Sequence, residues 1–248
     1  MQTFVTKRLL AVSLASFTTL AIAGQDVVYD VDGQPYQGYW SKAADGAPLV
    51  VLVHDWDGLT DYEVKRAKML NDMGYNVFAA DLFGQGVRPT EVKDKKQHTG
   101  ELYKDRVKLQ KLMAASQTKA EELNQAKDNT VMVGYCFGGA AVLESARAGG
   151  DAKAFITFHG GLTTPKGQSY EQTSAPIVVF HGTADTAITM QDFATLAVEL
   201  EGAGVKHEMI SYSGAPHAFT VFGSQRYRED ADHKSWRRFG EVLQEVTQ

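Results

Sequence analysis

The stretch Val131-Met-Val-Gly134-Tyr135-Cys136-Phe137-Gly138-Gly139-Ala-Ala-Val-Leu143 constrains this chain more than any other. A β-branched run ends in Gly-x-Cys-x-Gly, and a helix-forming run rich in Ala, Leu and Glu follows at once. The local reading is strand, tight turn, helix. That is the layout of a nucleophile elbow, in which the central residue sits in a strained turn above a sheet and small flanking residues let strand and helix pack closely. The central residue here is a thiol. Its place at a helix N-terminus, where unpaired N–H groups and the helix dipole favour an anion, favours the thiolate, which is the reactive form. Cys136 is the only cysteine of the 248 residues. At an arbitrary position a lone cysteine reads as a small buried hydrophobe, but between two glycines at a strand-to-helix junction it reads as a nucleophile.

The N-terminus reads as a secretory signal: Lys7-Arg8, an apolar run over residues 9–20, and Ala21-Ile22-Ala23 as a cleavage site before Gly24. The apolar run is shorter than the roughly 20 residues a membrane span needs. The expectation is a signal peptide over residues 1–23 and a single domain over residues 24–248, exported to a periplasmic or extracellular space without stable membrane association. An internal disulfide is excluded by the cysteine count. The formal net charge is -5 for the whole chain and -7 without residues 1–23. Such a balance argues against nucleic acid and anionic membrane surfaces as partners.

From residue 24 onward, strand-like and helix-like segments alternate. Residues 27–31 and 35–40 read as an antiparallel pair turned by Asp32-Gly33-Gln34. Residues 48–54 form a continuous apolar run, as expected of a strand covered on both faces. A helix over residues 62–73 and a strand over 76–81 follow. Residues 84–100 are polar and read as an irregular rim loop, and 101–126 as a long helical region broken in its middle. After the elbow come strands at 154–158 and 177–181, a helix at 190–203, a strand at 207–212 and an amphipathic helix at 230–246. Strands separated by helices predict an α/β fold, with a mostly parallel central sheet covered by helices on both faces.

In such a sheet the chemistry belongs at the carboxyl ends of the strands. His181-Gly-Thr-Ala-Asp185 places Asp185 just past one strand, and Gly214-Ala-Pro-His-Ala-Phe219 places His217 just past the next. Nucleophile, acid, histidine is the chain order of the α/β-hydrolases, and it differs from that of chymotrypsin or subtilisin. His54, His159 and His181 also fall near strand ends, but no tight metal-ligand spacing links them, so neither a metal nor a cofactor is expected. Three other chemistries fail on particular residues. A cysteine phosphatase needs an arginine six positions after the nucleophile, where Val142 stands. A dinucleotide site needs glycine where Cys136 stands, and a thiol redox motif needs a second cysteine.

At these residues the chain resembles the dienelactone hydrolase family of α/β-hydrolases. The resemblance rests on His54-Asp-Trp-Asp-Gly-Leu59, Ala80-Asp-Leu-Phe-Gly84, Gly134-Tyr-Cys-Phe-Gly-Gly139, Phe158-His-Gly-Gly-Leu162, His181-Gly-Thr-Ala-Asp185 and Gly214-Ala-Pro-His-Ala-Phe219. It implies a Cys136–His217–Asp185 triad acting on a small ester or lactone, with the backbone N–H groups of Phe137 and Trp56 as the oxyanion hole. Asp55 stands where relatives commonly carry glutamate; one methylene shorter, it is expected to act on the nucleophile only through its neighbours. Relatives that take dienelactones also hold the substrate carboxylate with arginine shortly after the triad histidine. Here Thr220-Val221 stand in that region, leaving Arg88 of the polar loop as the candidate. The reading from another class is a non-catalytic ligand-binding protein of the same fold. Either a monomer or a homodimer fits the sequence.

Overall fold

A computed structural model describes residues 24–248, so the expected signal peptide lies outside the described residues. The strands are β1 (Gln25–Val31), β2 (Gln34–Ser41), β3 (Leu49–Val53), β4 (Asn76–Ala80), β5 (Thr130–Tyr135), β6 (Ala154–Phe158), β7 (Ile177–Gly182) and β8 (His207–Tyr212). Between them run α1 (Asp61–Asp72), α2 (Val92–Lys104), α3 (Arg106–Asn124), α4 (Phe137–Arg147), α5 (Met190–Gly202) and α6 (Glu229–Thr247).

All eight strands form one sheet in the order β1-β2-β4-β3-β5-β6-β7-β8. The β1–β2 and β2–β4 pairs are antiparallel and the remaining five are parallel. The antiparallel edge arises locally, because Asp32 and Gly33 both take positive φ and turn β1 straight back on itself. β3 and β5 are wholly buried, which is why their sequences are continuous apolar runs rather than alternating ones. Their side chains still alternate between two cores. Val51, Val53 and Met132 pack with Leu109, Leu112 and Val142 of the helices on one face. Val50, Leu52, Val131 and Val133 pack with Ala67, Leu70, Phe239 and Leu243 on the other.

The strands fall where the sequence places them, but the rim region differs. Residues 92–100 are not irregular: they form most of α2, and the break in the helical region falls at Asp105, early rather than in the middle. Asp105 starts the next helix, its carboxylate accepting the Lys108 N–H at 3.0 Å. Periodicity conceals α2 because it buries only Thr99 and Leu102.

Candidate active site

The elbow sits at the carboxyl end of β5, between β3 and β6. Cys136 has φ 52° and ψ -112°, a strained conformation for a residue with a side chain, and the surrounding packing holds it there. A Cβ at Gly134 would lie 2.2 Å from the backbone of Gly138, and one at Gly138 would lie 2.3 Å from the Val53 carbonyl oxygen. The first turn of α4 therefore rests directly on the end of β3. This contact sets the loop holding Asp55 and Trp56 against the elbow, and the Phe137 N–H, the first of α4, has no intrahelical acceptor.

Two further loops bring polar side chains to the sulfur. Asp185, past the end of β7, accepts the N–H groups of Ala187 and Ile188 at 2.8 and 2.9 Å through Oδ1. Its Oδ2 lies 2.7 Å from Nδ1 of His217, which follows β8. Nε2 of the same ring lies 3.1 Å from Cys136 Sγ. Cys136, His217 and Asp185, far apart in sequence, thus form one connected row. Burial disfavours the charged His217 ring, but the bond to Asp185 and the bond and charge of Cys136 outweigh it and push its pKa up to about 10. Burial also disfavours the Asp185 carboxylate, and here the His217 and backbone donors prevail, holding it below the usual carboxylate range. The row is built to keep the imidazole charged beside the Asp185 carboxylate.

Asp55 is buried beside this row. Its Oδ1 accepts the Asp57 N–H at 2.8 Å, and among the described residues it makes no hydrogen bond to the sulfur. Burial holds its carboxyl above the ordinary range, against the pull of the Asp57 N–H, Lys95 and His217. Glu63, fully buried in α1, accepts the Thr60 N–H and hydroxyl through Oε2, each at 2.8 Å, and faces the Asp55 N–H with Oε1. Burial, and then the charge of Asp55, push the Glu63 pKa up to about 8. A carboxyl raised above its unfolded value stabilises the fold fully at acid pH and loses that contribution as pH rises through the raised value. Glu63→Gln, which keeps the cap acceptor, is therefore expected to flatten the fall in Tm between about pH 5 and about pH 8 relative to wild type. Parallel Tm curves for the two proteins would contradict this.

The three strand-end histidines have separate structural partners. His54 lies with Nδ1 2.6 Å from the Asp55 carbonyl oxygen, and its Nε2 accepts the Leu82 N–H at 3.1 Å. Burial pushes its pKa down to about 4. His181 bonds the Ile188 carbonyl, and His159 bonds Thr220. Arg88 is not an open anion anchor. Its Nη1 contacts the Val87 carbonyl at 2.7 Å and the Asp81 carboxylate at 3.4 Å, and its Nη2 the Gln37 carbonyl at 3.3 Å, so it ties down its own loop. A cleft of ≈ 260 Å³ lined by Tyr103, Arg106, Ala140, Arg147, Gly161, Thr163 and Ile188 opens near the elbow. Sequence reading missed it, because Tyr103 comes from α2 and the other residues come from four separate segments.

A Cys-His-Asp row at the carboxyl end of a mostly parallel sheet, with the cysteine on a strand-to-helix elbow, defines an α/β-hydrolase fold. The dienelactone hydrolase family profile matches residues 37–247, and the chain belongs to that family. It is thereby a carboxylic ester hydrolase, acting on esters or lactones. A Salmonella typhimurium protein named "Putative carboxymethylenebutenolidase" is 25% identical over 208 residues, covering 79% of this chain and 77% of that protein. The solved structure of a dienelactone hydrolase-like promiscuous phosphotriesterase from metagenomic libraries superposes with a TM-score of 0.83 at 25% identity, covering 91% of this chain and 98% of that one. Thermogutta terrifontis esterase 2 shares the fold, with a TM-score of 0.66 at 21% identity, covering 94% of this chain and 98% of that one.

Proposed function

We propose that this chain hydrolyses a small ester or lactone with Cys136 as nucleophile, His217 as proton carrier and Asp185 as the group that orients and charges the imidazole. The single observation that carries the reading is the row itself, 2.7 Å from carboxylate to ring and 3.1 Å from ring to sulfur. The sulfur attacks the acyl carbon, and the carbonyl oxygen gains the negative charge. The backbone N–H groups of Phe137 and Trp56 meet that oxyanion, each such donor being worth about 3 to 4 kcal/mol. As the carbon–oxygen bond breaks, the imidazolium gives its proton to the departing alkoxide, leaving an acyl-thioester. The neutral ring then takes a proton from water, whose oxygen attacks the thioester, and the acid leaves as the sulfur is regenerated.

The cleft beside the elbow is the place for the acyl or alcohol group. Its Arg106 and Arg147 both contact the buried Glu144, at 3.2 and 2.8 Å. We also propose that the protein works outside the cytoplasm as residues 24–248, on the Lys7-Arg8 and Ala21-Ile22-Ala23 signals. Purified residues 24–248 should turn over members of a panel of lactones, short-chain acyl esters, thioesters and phosphotriesters. Rapid acid quench followed by mass spectrometry should find the acyl group of an ester substrate on Cys136. Turnover with the acyl mass on any other residue, or no turnover across the panel, would defeat the reading.

A further inference from the structure

His217 is fixed from the front by Asp185 and Cys136. Its loop is held from behind by Thr220, three residues further on and fully buried. Thr220 Oγ1 lies 2.7 Å from the Tyr62 hydroxyl of α1 and 2.8 Å from Nε2 of His159, just past β6. Its carbonyl oxygen accepts Nη2 of Arg66, also in α1, at 2.8 Å. One residue therefore ties the histidine loop to the helix under one side of the site and to the strand next to the nucleophile strand.

His159 has no role in the proposed chemistry, yet it is built at some cost. It is fully buried, takes a positive φ of 40°, and its Nδ1 has no partner among the described residues. Burial, with the charges of His217 and Arg66, holds its pKa well below the ordinary histidine value, so it is a neutral ring. That ring meets His217 edge-to-face, with centroids 5.5 Å apart, and meets Phe219 in the same way at 5.4 Å. A strained, buried, neutral imidazole persists only where its surroundings over-determine it, and strain of this kind concentrates at functional sites. Among its contacts are the His217 ring and Thr220, the residue that holds that ring's loop.

We propose that Thr220 and His159 are positioning residues: Thr220 clamps the His217 loop to α1 and to the end of β6, and His159 braces the imidazole from behind so that Nε2 stays on the sulfur. The inference rests on the proposed role of Cys136 and His217, and the only thiol of the chain gives a readout that needs no substrate. An imidazolium in contact promotes the thiolate, so a ring that wanders lowers the rate at which iodoacetamide alkylates Cys136. Thr220→Val, which keeps shape and removes the hydroxyl, is expected to slow alkylation at neutral pH about tenfold and displace the pH–rate curve to higher pH. On an ester that the wild type hydrolyses, kcat should fall about 10- to 100-fold with KM within about twofold, the effect of a misplacement on the order of 1 Å.

Thr220→Ser should restore both readouts. Tyr62→Phe, which removes one hydroxyl and retains its ring packing, should move them in the same direction as Thr220→Val. His159→Phe, a ring without the bond to Thr220, should do likewise. Wild-type alkylation curves and kcat in folded Thr220→Val and Tyr62→Phe would overturn the inference while leaving the nucleophile in place, provided Cys136→Ala is inactive. Full turnover in Cys136→Ala would overturn both the nucleophile and the inference.

Discussion

Cys136→Ala is expected to lose ester hydrolysis by about 10⁴-fold or more in kcat while unfolding at nearly the wild-type denaturant midpoint. The size follows from what is removed. In the proposed mechanism no acyl-enzyme forms without the sulfur, and what remains is water attack assisted by the oxyanion donors and by binding, which in nucleophile-deleted enzymes leaves only a residual rate. The small effect on stability follows from the site. The side chain is only partly buried, and its one polar contact among the described residues is His217 Nε2 at 3.1 Å. The strained backbone at φ 52° is no worse for alanine than for cysteine. Removal of the sulfur also takes away the Cys136 bond and charge that help raise the His217 pKa, so the ring pKa falls toward the ordinary histidine range. Cys136→Ser adds a sharper reading. It keeps the geometry but replaces a thiol with a less acidic and less nucleophilic alcohol, so slower turnover with the acyl group on the new hydroxyl is the expected result. A wild-type rate in Cys136→Ala would show that another group does the chemistry.

The parts of the site that could be read from sequence are those in which local pattern and chemistry coincide. Gly134, Cys136 and Gly138 announce a strand-to-helix turn because each glycine is needed by a specific close approach. Asp185 and His217 are legible because each lies directly after an apolar run, and strand ends are where α/β sheets carry function. What was hidden involves either weak periodicity or great sequence separation. The helix that begins at Val92 reads as a loop because most of its residues face water. Arg88 reads as a free cation because no local pattern says that the carbonyls of Val87 in its own loop and of Gln37 in β2 surround it. Thr220 reads as a departure from a family pattern, and His159 as a stray strand-end histidine. Their bonds to each other and to Tyr62 span 61 and 158 residues, which no window along the chain can see.

Arg66→Met is expected to destabilise the protein by about 3–5 kcal/mol, the usual cost of stripping a buried charge of its partner. The Arg66 side chain is completely buried, and Nη2 pairs with the Asp232 carboxylate of α6, whose side chain is 3% exposed. The same nitrogen donates to the Thr220 carbonyl, and Nε donates to the Tyr62 hydroxyl at 3.3 Å. The guanidinium also lies 4.2 Å from the Phe222 ring centre and 4.9 Å from that of Trp236. Methionine fills much of the volume, so the loss is chiefly electrostatic: among the described residues Asp232 is left buried with only the Tyr227 hydroxyl, 3.2 Å away, as a side-chain donor. One consequence separates this account from simple loss of packing. The double variant Arg66→Met/Asp232→Leu should be more stable than Arg66→Met alone, because an apolar pair in that space avoids the desolvation that the single variant leaves uncompensated. Urea unfolding of the three proteins decides it: a double variant no more stable than the single would mean that shape rather than charge holds α1 to α6.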